Sequence, residues 1–317
     1  MRNGLPHPRV TVGSALTMQT DIAAALLALA SALCIAIGDA LQQRAAHGIT
    51  DESVGPVALF ASLLRNRWWR WGTLLLAASI ALQAAALGQG SVLLVQALLM
   101  LSLLFALPIS AKLSHRTVTA GQWLWAGLLT AAVVIVVTVG NPQAGRTDAS
   151  LATWAVVAVV LGPLLIVCVA AGRVRGGVVA AVLYAFVSGS LWGVFGVLTK
   201  EVVARLADGP WAVFQAPELY ACVAVALGGF VWSQSAFRAG PLTASMPTLQ
   251  VSQPVVAAVL GITVLDETLT PGRLGMIALV AAAAVMMAAI IKLARVEAVS
   301  AAELSESAPD DAVGKPA

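Results

Sequence analysis

Nine stretches of this sequence, each 18 to 23 residues long, carry almost no charge: 22–41, 71–88, 91–111, 121–140, 150–172, 177–199, 218–237, 242–264 and 273–293. About 20 consecutive apolar residues let a helix cross the hydrocarbon of a bilayer, where every backbone amide must find its partner within the chain. Hydrophobic residues make up 60% of the chain and charged residues 10%, against about 45–50% and about 25% in soluble domains. So few charges cannot cover a water-facing surface. The sequence predicts an all-α integral membrane protein of about nine transmembrane helices, with the lipid bilayer as its first partner.

Most connections are short. The 42–70 connection holds PVALFASLLRNRWWR, whose apolar part is too short to cross and is expected to lie along the interface with Trp68 and Trp69 at headgroup level. Alternating sides puts six of the eighteen Lys and Arg on one face of the membrane and twelve on the other. The positive-inside rule then puts the N-terminus outside and the C-terminus in the cytoplasm, and the plasma (bacterial inner) membrane is the expected location. Residues 1–21 read as an extracytoplasmic segment, with a signal peptide ending near Gly38–Ala40 or a translation start at Met18 as alternatives. Residues 296–317, acidic and Ala/Ser-rich, read as a disordered cytoplasmic tail.

An offset of about 150 residues brings AFRAGPLTASMPTLQVSQPVVAAVLGITVLDETLTPGR onto ALGQGSVLLVQALLMLSLLFALPISAKLSHRTVTAGQ. Gly240 falls on Gly90 and Ser252 on Ser102, and with one gap Thr268, Thr270 and Gly272 fall on Thr117, Thr119 and Gly121. The reading is a first repeat over 22–140, a linking helix at 150–172 and a second repeat over 177–295. The four-helix repeats start five spans apart, so the second enters the membrane from the opposite side. Such inverted repeats build many secondary transporters, with the solute site near the midplane between them.

That architecture gives a purpose to a polar cluster inside the eighth span. Pro247 and Pro254 each remove an amide donor, and Thr243, Pro247, Gln250 and Pro254 recur at helical spacing. Such a face is costly against lipid and suited to a cavity. Ser252 and Gln253 join it, and the first repeat contributes Gln96, Ser102 and Pro108. The alternative is that these groups bond helix to helix. The expected solute path comprises Gln96, Ser102, Thr243, Pro247, Gln250, Ser252, Gln253 and Pro254.

LWGVFGVLTKE (191–201) and VLDETLTPGRLGMIALVAAA, an acidic turn before a glycine-led last helix, resemble the EamA-like branch of the drug/metabolite transporter superfamily across residues 22–295. The nine-span count and WWRWGTLLLAASIALQAAALGQGSVLLVQALLMLSLLFALPIS resemble its NIPA-like magnesium transporter subgroup. The resemblance implies transport of a small metabolite, drug or ion, with Mg²⁺ or another divalent cation as the alternative cargo, and the inverted repeats imply alternating access; a non-transporting scaffold is the rival from a different class. It also implies a charge-holding role for Lys200.

Few charges compete for a role inside the membrane. Asp39 lies near the end of the first span, where it serves as a cation or proton site, pairs locally with Arg44 or is simply exposed at the interface. Lys200 holds an anionic group or snorkels to the headgroups, and Glu267, beside Asp266 at a span end, is a further candidate ion or charge site. Gly189 and Gly193 form a GxxxG face for close helix approach. Cys34, Cys168 and Cys222 sit apart in apolar runs, and His7, His47 and His115 lie in loops without metal-ligand spacing. No nucleophile elbow, phosphate loop or HExxH occurs. The expectation is therefore no enzyme, metal site, cofactor or nucleic-acid partner, while a homodimer stays open.

Overall fold

The structure is a computed structural model that describes residues 9–47, 66–113 and 117–306. Its helices are α1 (Arg9–His47), α2 (Arg67–Leu87), α3 (Val92–Leu99), α4 (Ser102–Leu113), α5 (Ala120–Thr138), α6 (Leu151–Arg175), α7 (Gly177–Arg205), α8 (Pro210–Gln215), α9 (Pro217–Ala239), α10 (Leu242–Val264) and α11 (Arg273–Glu306). Among the described residues there is no strand, only an antiparallel bridge between Gln143 and Thr268. Nine segments there are long and apolar enough to cross a membrane, α3 and α4 together making the third. A multi-pass membrane protein is the solution this composition allows.

Small residues set how closely the helices approach. Ala24, Ala28, Ala32, Ala36 and Ala40 are buried at every fourth position of α1, a stripe that packs along α2 and against α3 and α4. At Gly72 a Cβ would stand 2.9 Å from the Gly38 carbonyl, so α1 and α2 meet backbone to backbone there. In the second half α7 packs along α9 and α10. Cβ atoms at Gly189 and Gly193 would stand 2.7 and 2.9 Å from the Leu249 and Gln253 carbonyls of α10. Each half also ties its first helix to its second through a fully buried serine. Ser31 donates to the Ser79 carbonyl at 2.8 Å, and Ser188 to the Gly229 carbonyl at 2.7 Å. Helix α5 packs on α11, and α6 packs on α7.

The third span is not continuous. It breaks at Met100 and Leu101, where tight bonds run from the Leu101 amide to the Leu98 carbonyl (3.0 Å) and from Leu103 to Met100 (3.3 Å). Both residues are buried in protein, the condition under which irregular backbone is tolerated at membrane depth.

The C-terminal region differs from expectation. The last helix runs to Glu306, so residues 296–306 are not a disordered tail. RVEAVSAAELSE contains no glycine or proline to stop it, and burial of Leu293, Ala294 and Ala298 carries the packed face past the charged turn at Lys292 and Arg295. At the other end α1 begins at Arg9, inside the segment read as extracytoplasmic. Trp68 and Trp69 lie in the first turn of α2, and the rest of the proposed interfacial piece, 56–65, lies outside the described residues, as do 1–8 and 307–317.

Candidate functional site

Helix α3 starts from a complete N-terminal cap, and its partners come from far along the chain. Ser91 accepts from the Leu94 amide through Oγ at 3.0 Å. The Val92 and Leu93 amides donate to Glu267 Oε1 and Oε2 at 2.6 and 3.0 Å. A carboxylate suits this place because the first amides of a helix are unpaired and carry the positive end of its dipole. Lys200 Nζ of α7 donates to Glu267 Oε1 at 2.7 Å, with side-chain exposures of 4% and 0% for the pair. Lys200 and Glu267 thus belong to one sealed cluster that joins α3, α7 and the turn before α11. It leaves Lys200 neither snorkelled to headgroups nor free for an anionic solute.

The turn holding Glu267 is fixed by the loop after α5. The Gln143 and Thr268 amides exchange bonds with each other's carbonyls at 2.9 and 3.3 Å, and the Thr270 amide donates to the Gly140 carbonyl at 3.1 Å. Arg146 Nε meets Asp266 Oδ2 at 2.8 Å in the open. Gly145 lies so close to Leu265 and Asp266 that a Cβ would run into their backbone. The 139–149 and 265–272 loops therefore hold each other and, through Glu267, hold α3. Beside this clasp the Glu201 carboxylate, 2% exposed, accepts both bonds of a bifurcated Trp154 Nε1 donor at 3.1 and 3.0 Å.

The polar groups of the eighth span face a separate hollow. A cavity of about 170 Å³ is lined by Asp39, Gln83, Ser102, Trp192, Gln250, Gln253 and Glu297, among others. A second hollow of about 230 Å³ continues it past Gln42, Phe237 and Met246, sharing Asp39, Leu249, Gln250 and Glu297 with the first. Gln42 and Phe237 mark the bundle end opposite the clasp: the turn after α9 packs on Gly177, the start of α7, whereas Lys200 lies near its finish. Asp39, Gln250, Gln253 and Glu297 are half-buried, whereas Glu267 and Lys200 are sealed. The bundle is thus closed at one end by charge-assisted bonds, and its polar hollow leads toward the other. Pro254 has no amide hydrogen to give the Gln250 carbonyl, which adds an acceptor beside the cavity.

The structure brings Asp39, Ser102, Gln250 and Gln253 together as cavity lining. It places the rest elsewhere. The face of α10 toward the hollow runs through Met246, Leu249, Gln250 and Gln253, a quarter-turn from the expected Thr243–Pro247–Gln250–Pro254 face. Pro247 and Pro254 are buried, Thr243 is half-buried at the start of α10, and Ser252 packs on Gly189 with its Oγ donating to the Thr248 carbonyl at 2.6 Å. Gln96 is buried against Gly196, and neither polar atom of its side chain has a hydrogen-bond partner among the described residues. The local Asp39–Arg44 pair lies outside the described side chains.

Two lining groups were not expected. Glu297 falls in the stretch read as tail, although extending the stripe Ile290–Leu293–Ala294 by one turn places it on the packed face. Gln83 is 8% exposed in an alanine-rich run of α2, one turn after the buried Ser79. Among the described residues no trio of His, Cys, Asp or Glu is gathered closely enough to hold a metal ion.

An uncharacterized protein of Corynebacterium glutamicum is 34% identical to this chain over 290 residues, covering 88% of this chain and 96% of that one. No family model matches the sequence. No solved structure matches it either.

Proposed function

This chain belongs to the same family as the uncharacterized corynebacterial protein, and from its cavity and clasp we propose that it is a secondary transporter working by alternating access. The observation that carries the reading is the half-buried polar hollow between α1, α4, α10 and α11, closed at one end by the Lys200–Glu267 clasp. Polar and ionisable groups at membrane depth are costly unless they face a water-filled path. Breaking the clasp at one end while the other closes would expose the same groups to the opposite side.

Membership in the drug/metabolite transporter superfamily and an inverted-repeat architecture form part of this proposal. Recurrent neighbours support the repeat: α1 with α2 and with α3/α4 corresponds to α7 with α9 and with α10, and the buried Ser31 and Ser188 bonds occupy matching places. The positive-inside rule assigns the cavity mouth to the cytoplasm and the clasp to the outside, because the connections at the mouth carry the larger share of Lys and Arg.

The cavity suits a cationic solute. Its lining holds two carboxylates, Asp39 and Glu297, with amides from Gln83, Gln250 and Gln253, and no Lys or Arg among the described residues. Trp192 adds an aromatic surface that favours an organic cation. A second reading, a divalent cation such as Mg²⁺, rests on the same carboxylates. Mg²⁺ keeps several waters when bound, and neutral amides around two acids suit a hydrated ion. The test is charge movement in proteoliposomes on solid-supported membranes, with Mg²⁺ and a panel of small organic cations. The wild-type chain should give a current that Gln250→Leu/Gln253→Leu removes without unfolding. A current untouched by that pair would point to a pathway elsewhere, and a scaffold would show no current with either chain.

A further inference from the structure

A larger hollow lies outside this path, between the linking helix α6 and helices α7 and α9, with a volume of about 590 Å³. That is within the roughly 300–1,000 Å³ range of small-ligand sites. Its walls are apolar along Trp154, Val157, Leu161 and Leu165 of α6 and Leu191 and Leu198 of α7. At one end alone it becomes polar, where Arg205 and Glu218 face each other. Trp154 to Leu165 rises roughly 16 Å at 1.5 Å per residue, close to half of a hydrocarbon core about 30 Å thick. The slot therefore has the depth of one leaflet, with its polar end at the clasp side of the bundle.

The polar end is incomplete. Arg205 Nη2 donates to Glu218 Oε1 at 2.7 Å, but Glu218 Oε2 is buried without a hydrogen-bond partner among the described residues. Arg205 is 40% exposed and keeps further N–H donors beyond that bond. The lining there holds one base and one acid, and Asp148 and Asp208 add negative charge nearby. An occupant that sets an anionic group on the free Arg205 N–H donors and a cationic donor against the exposed side of the Glu218 side chain, with no net negative charge, fits this end.

We propose that this slot binds one acyl chain of a phosphoethanolamine-headed lipid from the leaflet at the clasp end. The phosphate lies on Arg205 and the ammonium on Glu218. Phosphatidylcholine lacks the N–H that Glu218 needs. Phosphatidylglycerol brings hydroxyls but also a net negative charge into a mouth with Asp148 and Asp208 nearby. The site does not rest on the transport reading, since its lining shares no residue with the central cavity.

The test is native mass spectrometry of the full chain released from nanodiscs of equal phosphatidylethanolamine, phosphatidylcholine and phosphatidylglycerol with matched acyl chains. One retained phosphatidylethanolamine per chain, favoured about tenfold over the other two, is expected. Glu218→Gln removes the carboxylate charge that faces the ammonium and should abolish that preference. Gly162→Leu should remove the retained lipid of every class. A Cβ at Gly162 meets nothing within 4 Å, so the added side chain enters the slot without disturbing the fold. Equal retention of all three lipids by the wild-type chain would overturn the proposal, as would retention unchanged by Gly162→Leu.

Discussion

Replacing Glu267 by Gln and Lys200 by Met, singly and together, asks whether the clasp is a coupled buried ion pair or a set of independent contacts. With side-chain exposures of 0% and 4%, neither charge is screened by solvent in the folded state. Glu267→Gln strands the Lys200 ammonium and turns an amide donor toward the Val92 or Leu93 N–H, each of which now donates to a carboxylate oxygen. Lys200→Met strands the carboxylate, but the helix N-terminus still holds it. Breaking a buried pair from one side costs about 3–5 kcal/mol, and the helix dipole offsets up to about 2 kcal/mol of that for Lys200→Met. Glu267→Gln should therefore be the worse single change. The double variant leaves no stranded charge and should fall well short of the summed single losses. Denaturant unfolding in mixed micelles, followed by tryptophan fluorescence, measures the cycle. Losses below about 1 kcal/mol, the range of surface pairs, or strict additivity, would refute the reasoning.

Other consequences follow from single contacts. Gly145→Ala drives a methyl into the Leu265 and Asp266 backbone, so it should cost about 1–3 kcal/mol of stability in the same unfolding assay, whereas Gly127→Ala, which meets nothing within 4 Å, should not. Trp154→Phe removes the donor to both Glu201 oxygens and should cost about 1–3 kcal/mol, with a smaller loss in Trp154→Phe/Glu201→Gln. Asp39→Asn/Glu297→Gln removes both cavity carboxylates; cation-driven current in proteoliposomes should fall at least tenfold while the unfolding midpoint holds or rises.

The membrane class and nearly all the spans were legible because apolar length is a property of single segments. Ser102, Gln250 and Gln253 were legible for a related reason, since polar groups in an apolar helix must face something other than lipid. The facing direction was harder. Four residues at helical spacing define a face, yet the cavity lies a quarter-turn away, because Gly189 and Gly193 draw α10 onto α7 through Ser252 and Val256. The role of Glu267 was hidden for another reason. Its partners lie 174 and 175 residues away on α3 and 67 residues away on α7, and no local pattern announces a helix capped from that distance. Glu297 was misplaced because the charges at Lys292 and Arg295 masked a packed stripe that continues beneath them.

Alternating access has one direct test. With Cys34, Cys168 and Cys222 replaced, a cysteine at Leu249, which lines both hollows, is probed in sealed vesicles with a membrane-impermeant maleimide from each side. With the clasp intact, labelling should come from the cytoplasmic side. Adding Glu267→Gln should open the other route, so that the same cysteine is labelled from outside. Labelling from one side alone, whatever the state of the clasp, would make the hollow a blind pocket and contradict transport through it.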